Sequence, residues 1–407
     1  MNSRLGAPLA LSLLLLPCPL LACGTDTASA YNRFVAAGYG AGRILQTNDF
    51  VRGKNSNGVK MSRHMSAQLA YGWQTLGRKE WEIAHKLPAF GVGVGVTWCD
   101  NRPECGTPLS LFGFYDGVLA RWGNHTVIYG IEAGLAFLWD AYDERHNPHN
   151  VAIGSKCTVH LKFSAEYSYL VASRWRASAG AYLTHFSNGA MRKPNKGMNL
   201  AGWQVRLAYL LDRRPSVALR PLPKQKGNEV DITVGYGYKR FEVDTVLYAG
   251  CKHAFDTRIH YSAVTLQGVF LHRYCHRGKY GAGVSVVYDD HMGSSLRPTP
   301  DGHAAVVHGK TSKRFALGVV AAHELCISRL SVVTHLGYYV SRPNGIASEQ
   351  RKESLFQRAG LKYTFPNNLH AGVNIYAHRL SRADFIEWNV GYSLPVARRA
   401  RSGETTK

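Results

Sequence analysis

Beyond its first thirty residues, the 407-residue sequence has no apolar run near the ~20 residues that a membrane-spanning helix needs. That excludes a helical bundle in a membrane. It leaves a soluble chain, or one that crosses as strands of ~9 to 11 alternating residues each. Acidic residues are scarce: 27 Asp and Glu stand against 49 Lys and Arg, a formal charge of +22. Charged residues of both signs make up only 19% while there are 22 tyrosines, which suits a β-rich protein with exposed aromatics and argues against disorder. Cysteine is sparse, with six past the amino-terminal segment. Cys99 and Cys105 bracket the short turn CDNRPEC and could form a loop disulfide in an oxidising compartment. Cys157, Cys251, Cys275 and Cys326 lie in or beside apolar segments and read as small buried or lipid-facing side chains. His272, His276 and His323 show no ligand spacing, so neither a metal nor another cofactor is expected. GVGVGV at residues 91–96 lacks the Lys and helix of a phosphate loop, and reads as a closely packed strand.

What is present begins with an export signal. MNSRLGAPLALSLLLLPCPLLACGTDTASA has one Arg, an apolar run from Leu9 to Leu21 and then small residues. Cleavage is expected before Tyr31, after the A-x-A pattern Ala28, Ser29, Ala30; LLAC, ending at Cys23, offers lipoprotein processing as the alternative. An exported chain rarely meets nucleic acid, so its basic excess points to an anionic membrane surface or a phosphorylated glycolipid.

Downstream, one pattern runs from end to end. In KCTVHLKFSAEYSYL, residues 156–170, the odd positions are Cys157, Val159, Leu161, Phe163, Ala165, Tyr167 and Tyr169, while the even ones include His160, Lys162, Ser164 and Glu166. Strict alternation over this length predicts a strand with one apolar and one polar face, longer than most sandwich strands. Similar segments fall near residues 62–75, 124–137, 174–187, 198–211, 229–240, 313–325, 353–365, 368–378 and 383–394, separated by turn chemistry such as NPHN, SRPNG and FPNN. The expected fold class is all-β: an antiparallel transmembrane β-barrel of the outer membrane, either about 14 to 16 strands or an eight-strand unit followed by a second β unit. The division expected is a signal over 1–30, a barrel unit over 31–212, a Pro-rich basic linker or long turn over 213–227, further antiparallel strands over 228–394 and a basic tail over 395–407.

The stretch THFSNGAMRKPNKGMN, residues 184–199, carries the chemistry. His185 and Ser187 continue the face holding Trp175, Ala177, Ala179, Ala181 and Leu183. If apolar means lipid-facing, both point outward at the barrel rim, an expensive place for an imidazole without a partner. Asn199 joins them from the face of the next strand that carries Trp203, Val205 and Leu207. With a periplasmic amino terminus, the seventh strand runs outward and brings this rim within reach of the outer leaflet. A Ser hydroxyl needs a base, and the base needs a third group to hold its tautomer; Ser187, His185 and Asn199 fit those roles. Asn195 and the backbone around Asn188, Gly189 and Ala190 could supply oxyanion donors. Arg192, Lys193 and Lys196 could meet phosphates.

At these residues the sequence resembles the PagL-type lipid A deacylases, also called acyloxyacyl hydrolase-like proteins. H-x-S-N followed by P-N-x-G is formed by His185, Ser187, Asn188, Pro194, Asn195 and Gly197. NPHNVAIGSK, GLKYTF and YAHRLSRADFIEWNVGYSL resemble the longer members of the family. The resemblance implies a hydrolase that removes an ester-linked 3-hydroxyacyl chain from lipid A in the outer leaflet, so that lipopolysaccharide is its partner. It implies His185 as general base, Ser187 as nucleophile and Asn195 as oxyanion donor, without a metal. In the family a Glu stands twelve residues after the Ser; here Asn199 does, and an amide stabilises an imidazolium less than a carboxylate. Asp140, Asp143 and Glu144, in the preceding outer loop, could substitute. The alternative is a non-catalytic barrel, either a channel or a lipopolysaccharide-binding protein, that retains the motif.

Overall fold

The computed structural model describes residues 30–189, 191–214, 216, 219–240, 260–298, 304–343, 354–378 and 382–396. The expected export signal, the carboxyl-terminal basic tail from residue 397, Ala190 and Cys251 lie outside them.

Sixteen long strands close into two barrels of eight, joined antiparallel throughout. The first comprises β1 (Tyr31–Ile44), β2 (Arg63–Thr75), β3 (Ala89–Cys99), β4 (Gly106–Trp122), β5 (His125–Trp139), β6 (Thr158–Ala172), β7 (Trp175–Ser187) and β8 (Met198–Leu210). It closes by pairing β1 with β8, Tyr39 opposite Val205. The second comprises β9 (Gly227–Arg240), β10 (His260–Cys275), β11 (Gly278–Asp289), β14 (Phe315–Ile327), β15 (Leu330–Ser341), β16 (Leu355–Thr364), β17 (Leu369–His378) and β18 (Arg382–Val396), and closes by pairing β9 with β18. A small ribbon, β12 (Ser295–Pro298) with β13 (Ala304–Val307), interrupts it between β11 and β14. The 213–227 stretch thus runs between two closed sheets.

Alternation decides which way each side chain points. On β6, Phe163, Tyr167 and Tyr169 are exposed, while His160, Lys162, Glu166 and Ser168 between them are buried. The exteriors are therefore apolar and the interiors polar, as a chain surrounded by hydrocarbon requires. Closure leaves neither barrel with a sheet edge, so no barrel strand is left without a neighbour on either side.

The interiors are filled. In the first barrel Lys162 Nζ lies 3.0 Å from Glu132 and 3.0 Å from the Gln68 amide oxygen, and Arg206 bridges Asp116 at 2.8 Å and Glu166 at 3.3 Å. In the second, Glu387 accepts from Arg358 at 2.6 Å, Thr265 at 2.9 Å and Asn374 at 3.2 Å, while Lys362 pairs with Asp231 and Glu324. Two cavities in the first lumen measure about 20 Å³ each, space for a water but not for a conducting path.

One end of the first barrel carries the long connections, 45–62, 100–105, 140–157 and 188–197; the other has 76–88, 123–124 and 173–174. Long loops face outward and short turns face the periplasm in barrels of this kind. The outer loops have a core of their own, built from Phe50, Val51, Met61, Trp139, Ile153, Phe186 and Met198. Cys99 and Cys105 also sit there. They stand within hydrogen-bonding reach of each other as free thiols, the pair that could form a loop disulfide, and Cys99 also packs against Met198.

The barrels touch at their periplasmic ends. His85, buried in the 76–88 turn, donates from Nε2 to the carbonyl of Cys326 at 2.8 Å and accepts from the Tyr115 hydroxyl at Nδ1, also at 2.8 Å.

Candidate active site

β7 and β8 run side by side with His185 directly opposite Asn199. Ser187, two residues along β7, shares the outward face. Alternation puts the three side chains on one face, and the β7–β8 pairing brings them together.

His185 Nε2 lies 2.9 Å from Ser187 Oγ, and His185 Nδ1 lies 2.7 Å from Asn199 Oδ1. The Asn199 amide nitrogen donates to Thr47 Oγ1 at 3.1 Å, which turns its oxygen toward the imidazole. An amide oxygen can only accept, so Nδ1 carries the proton and Nε2 is left as the acceptor for the Ser187 hydroxyl. Ser187 is buried at 5% exposure, although it stands on the barrel's outer side, because the outer loops close over it.

Two of those loops are tied to the site. Leu45 N donates to Asn199 O at 2.8 Å, and Asn48 Nδ2 to Gly197 O at 2.8 Å. From the 140–157 loop, Val151 O and Ala152 O accept from Lys196 N and Gly197 N, each at 3.0 Å. Gly197 has φ +74, and a Cβ there would stand 2.9 Å from His185 Cε1. Both facts require glycine, which gives the last position of P-N-x-G a physical reason.

The oxyanion side is narrower than the sequence suggested. The Asn188 backbone N–H donates to Asn195 Oδ1 at 3.1 Å, and its side-chain nitrogen to Ser155 Oγ at 3.2 Å and Arg192 O at 2.8 Å. Asn188 therefore braces the loop and has no main-chain donor to offer. With Asn195 Oδ1 so engaged, its amide nitrogen and the N–H of Gly189, at φ +60, are the remaining described donors beside Ser187. Arg192 and Lys196 are exposed on the same loop, with Lys193 half-buried between them.

The outer-loop carboxylates do not replace the family's Glu, because His185 Nδ1 is already engaged by Asn199. Asp143 turns back on its own loop, accepting from the backbone of Arg145 at 2.9 Å and of His146 at 3.0 Å, which holds its carboxyl down at about 2. Glu144 and Asp140 are exposed. Thr47 was not legible beforehand: it reaches Asn199 across 152 residues, and no spacing marks it. Among the described residues no cluster of His, Cys, Asp and Glu could hold a metal ion.

Two closed sheets, apolar outside and polar within, with long loops at one end, define an outer-membrane β-barrel protein. Residues 44–208 match the family described as Lipid A 3-O-deacylase (PagL), and residues 228–396 the one described as Acyloxyacyl hydrolase, C-terminal domain. The chain belongs to this PagL/acyloxyacyl hydrolase family, each barrel coinciding with one of the two matches. No curated protein matches it. Among solved structures, the outer membrane enzyme PagL is 16% identical over 42% of this chain and 97% of that one, with a TM-score of 0.29. The FrpB iron transporter from Neisseria meningitidis is 9% identical over 90% and 81%, with a TM-score of 0.22.

Proposed function

We propose that the protein is a serine esterase of the outer leaflet, which hydrolyses an ester-linked 3-hydroxyacyl chain from lipid A. The observation that carries this reading is the unbroken Ser187–His185–Asn199 relay on the lipid-facing side of the rim that bears the long loops.

The steps follow from the proton positions. Ser187 Oγ attacks the ester carbonyl while its proton passes to His185 Nε2, and the carbonyl oxygen becomes an oxyanion. Asn199 Oδ1 holds the Nδ1–H and so keeps the imidazole in the accepting tautomer. Gly189 N–H and Asn195 Nδ2 are the donors available to the oxyanion. Collapse of the tetrahedral intermediate releases the sugar alkoxide, which takes the proton from His185. Water, activated by the same imidazole, then attacks the acyl-serine and frees the 3-hydroxy acid. Apolar side chains below the relay, Leu183, Phe163 and Trp203, offer a surface for the acyl chain. Arg192, Lys193 and Lys196 would meet the phosphates above it.

The test is a comparison of lipid A mass spectra from cells producing the wild type and Ser187→Ala. Loss of one hydroxyacyl chain with the wild type alone is expected. Identical spectra would leave a lipopolysaccharide-binding barrel.

A further inference from the structure

We infer that Ile386, on the second barrel, is a positioning residue for the oxyanion side of the site on the first. The inference rests on the hydrolase reading above and adds a role for the second barrel.

Ile386 lies on the outward face of β18, in register with Tyr238 of β9. Farther along the same face Val390 is 62% exposed and Leu394 44%, as lipid-facing residues should be, yet Ile386 is only 7% exposed. Gly189, two residues past Ser187, lies against it. A Cβ built on Gly189 would fall 2.4 Å from Ile386 Cγ1 and 2.5 Å from Cδ1. The isoleucine therefore occupies the space beside the bare glycine backbone, in direct contact with the residue whose N–H, among the described donors, is available to an oxyanion.

Such a donor is useful only if it is held before charge develops. Asn188 braces the loop from its protein side through Asn195, Ser155 and Arg192. On its outward side the loop would otherwise meet fluid hydrocarbon. Ile386 replaces that fluid with a fixed, branched side chain, and β-branching limits the rotamers it can adopt. The wall is fixed in turn, because His85 ties the two barrels at their opposite ends.

The second barrel does not repeat the site. Among the described residues at the corresponding end of β17 and β18, the outward positions are Ile375, Ala377, Ala383 and Ile386, and His378, 3.9 Å from Asp384, is buried on the inner face. A supporting role accounts for a barrel that has no relay of its own there.

The experiment uses the full-length protein in outer-membrane vesicles with lipid A as substrate. Ile386→Ala should lower kcat about tenfold while KM stays within about twofold, and Ile386→Val should recover most of the loss. Gly189→Ala should also be slow, since its φ disfavours a side chain and its Cβ meets Ile386. Adding Ile386→Ala to it should restore part of that rate instead of multiplying the losses. Oxidative crosslinking of Gly189→Cys with Ile386→Cys reads the contact without any activity. Failure to crosslink, an unchanged kcat in folded Ile386→Ala, or multiplicative losses in the double variant would each overturn the inference. Hydrolysis persisting in Ser187→Ala would instead overturn the esterase reading and leave the crosslink to stand.

Discussion

Asn199 stands where the resemblance to the family implies a Glu, and chemistry can read the difference. Its amide oxygen at 2.7 Å orients His185 as a carboxylate would, but would carry no charge to offset the imidazolium that the proposed attack requires. Asn199→Glu should therefore raise kcat, and Asn199→Ala should lower it ~10- to 100-fold by freeing the ring to turn, both measured as fatty acid release from lipid A micelles. Gly197 makes a separate prediction. Gly197→Ala places a methyl against His185 Cε1 at a positive φ, costing roughly 1–2 kcal/mol locally. Activity should fall sharply while the barrel's heat-modifiability on a gel, its shift between folded and unfolded bands, stays almost unchanged. At this scale His185, Ser187 and Asn199 were legible in the sequence, because period-2 alternation assigns a face to each. That the Asn188 N–H is engaged by Asn195 was not legible, because a main-chain N–H carries no sign in the sequence of its partner.

The strands owe their stability to paired interiors as much as to apolar exteriors. Glu387 is fully buried and gathers Arg358, Thr265 and Asn374 around one carboxylate. Removing it leaves the Arg358 guanidinium buried without its counter-charge, a loss of about 3–5 kcal/mol. Glu387→Ala should lower the temperature at which the second barrel unfolds in the heat-modifiability assay. Glu387→Ala combined with Arg358→Met should be milder than the single change, since no unpaired charge remains. The three partners come from β10, β16 and β17, while Glu387 itself stands on β18. The sequence shows each as a polar residue on an inward face but says nothing of which meet, because closure and stagger decide what lies across a lumen.

Across the whole molecule, two barrels are held at both ends, by His85 below and by Gly189 against Ile386 above. Burial holds the His85 imidazole below its ordinary 6.5, and the Arg277 charge pushes the same way, while the bond to Cys326 O opposes both. The folded protein thus takes up this proton less readily than the unfolded chain. The stability from this contact is complete above about pH 6.5, the unfolded value, and is lost progressively as the pH falls below it toward the lower folded value. Proteolysis of the 211–226 connection in vesicles should accelerate as the pH falls below about 6.5, and His85→Asn should flatten the dependence. A rate independent of pH in the wild type would refute this.

Strand direction, the polarity of each face and the grouping of His185, Ser187 and Asn199 were determined by the sequence alone, since the pleat alternates side chains whatever the chain later does. The division of sixteen strands into two closed sheets was not determined by it. A turn that continues one barrel and a connection that ends it share the same Pro-rich, basic composition; only the pairing of β8 back to β1 and of β18 back to β9 separates them. Thr47 behind Asn199 and Ile386 beside Gly189 also belong to the tertiary structure. Contacts across some 150 to 200 residues arise from closure and from the apposition of two walls, and local periodicity holds no information about either.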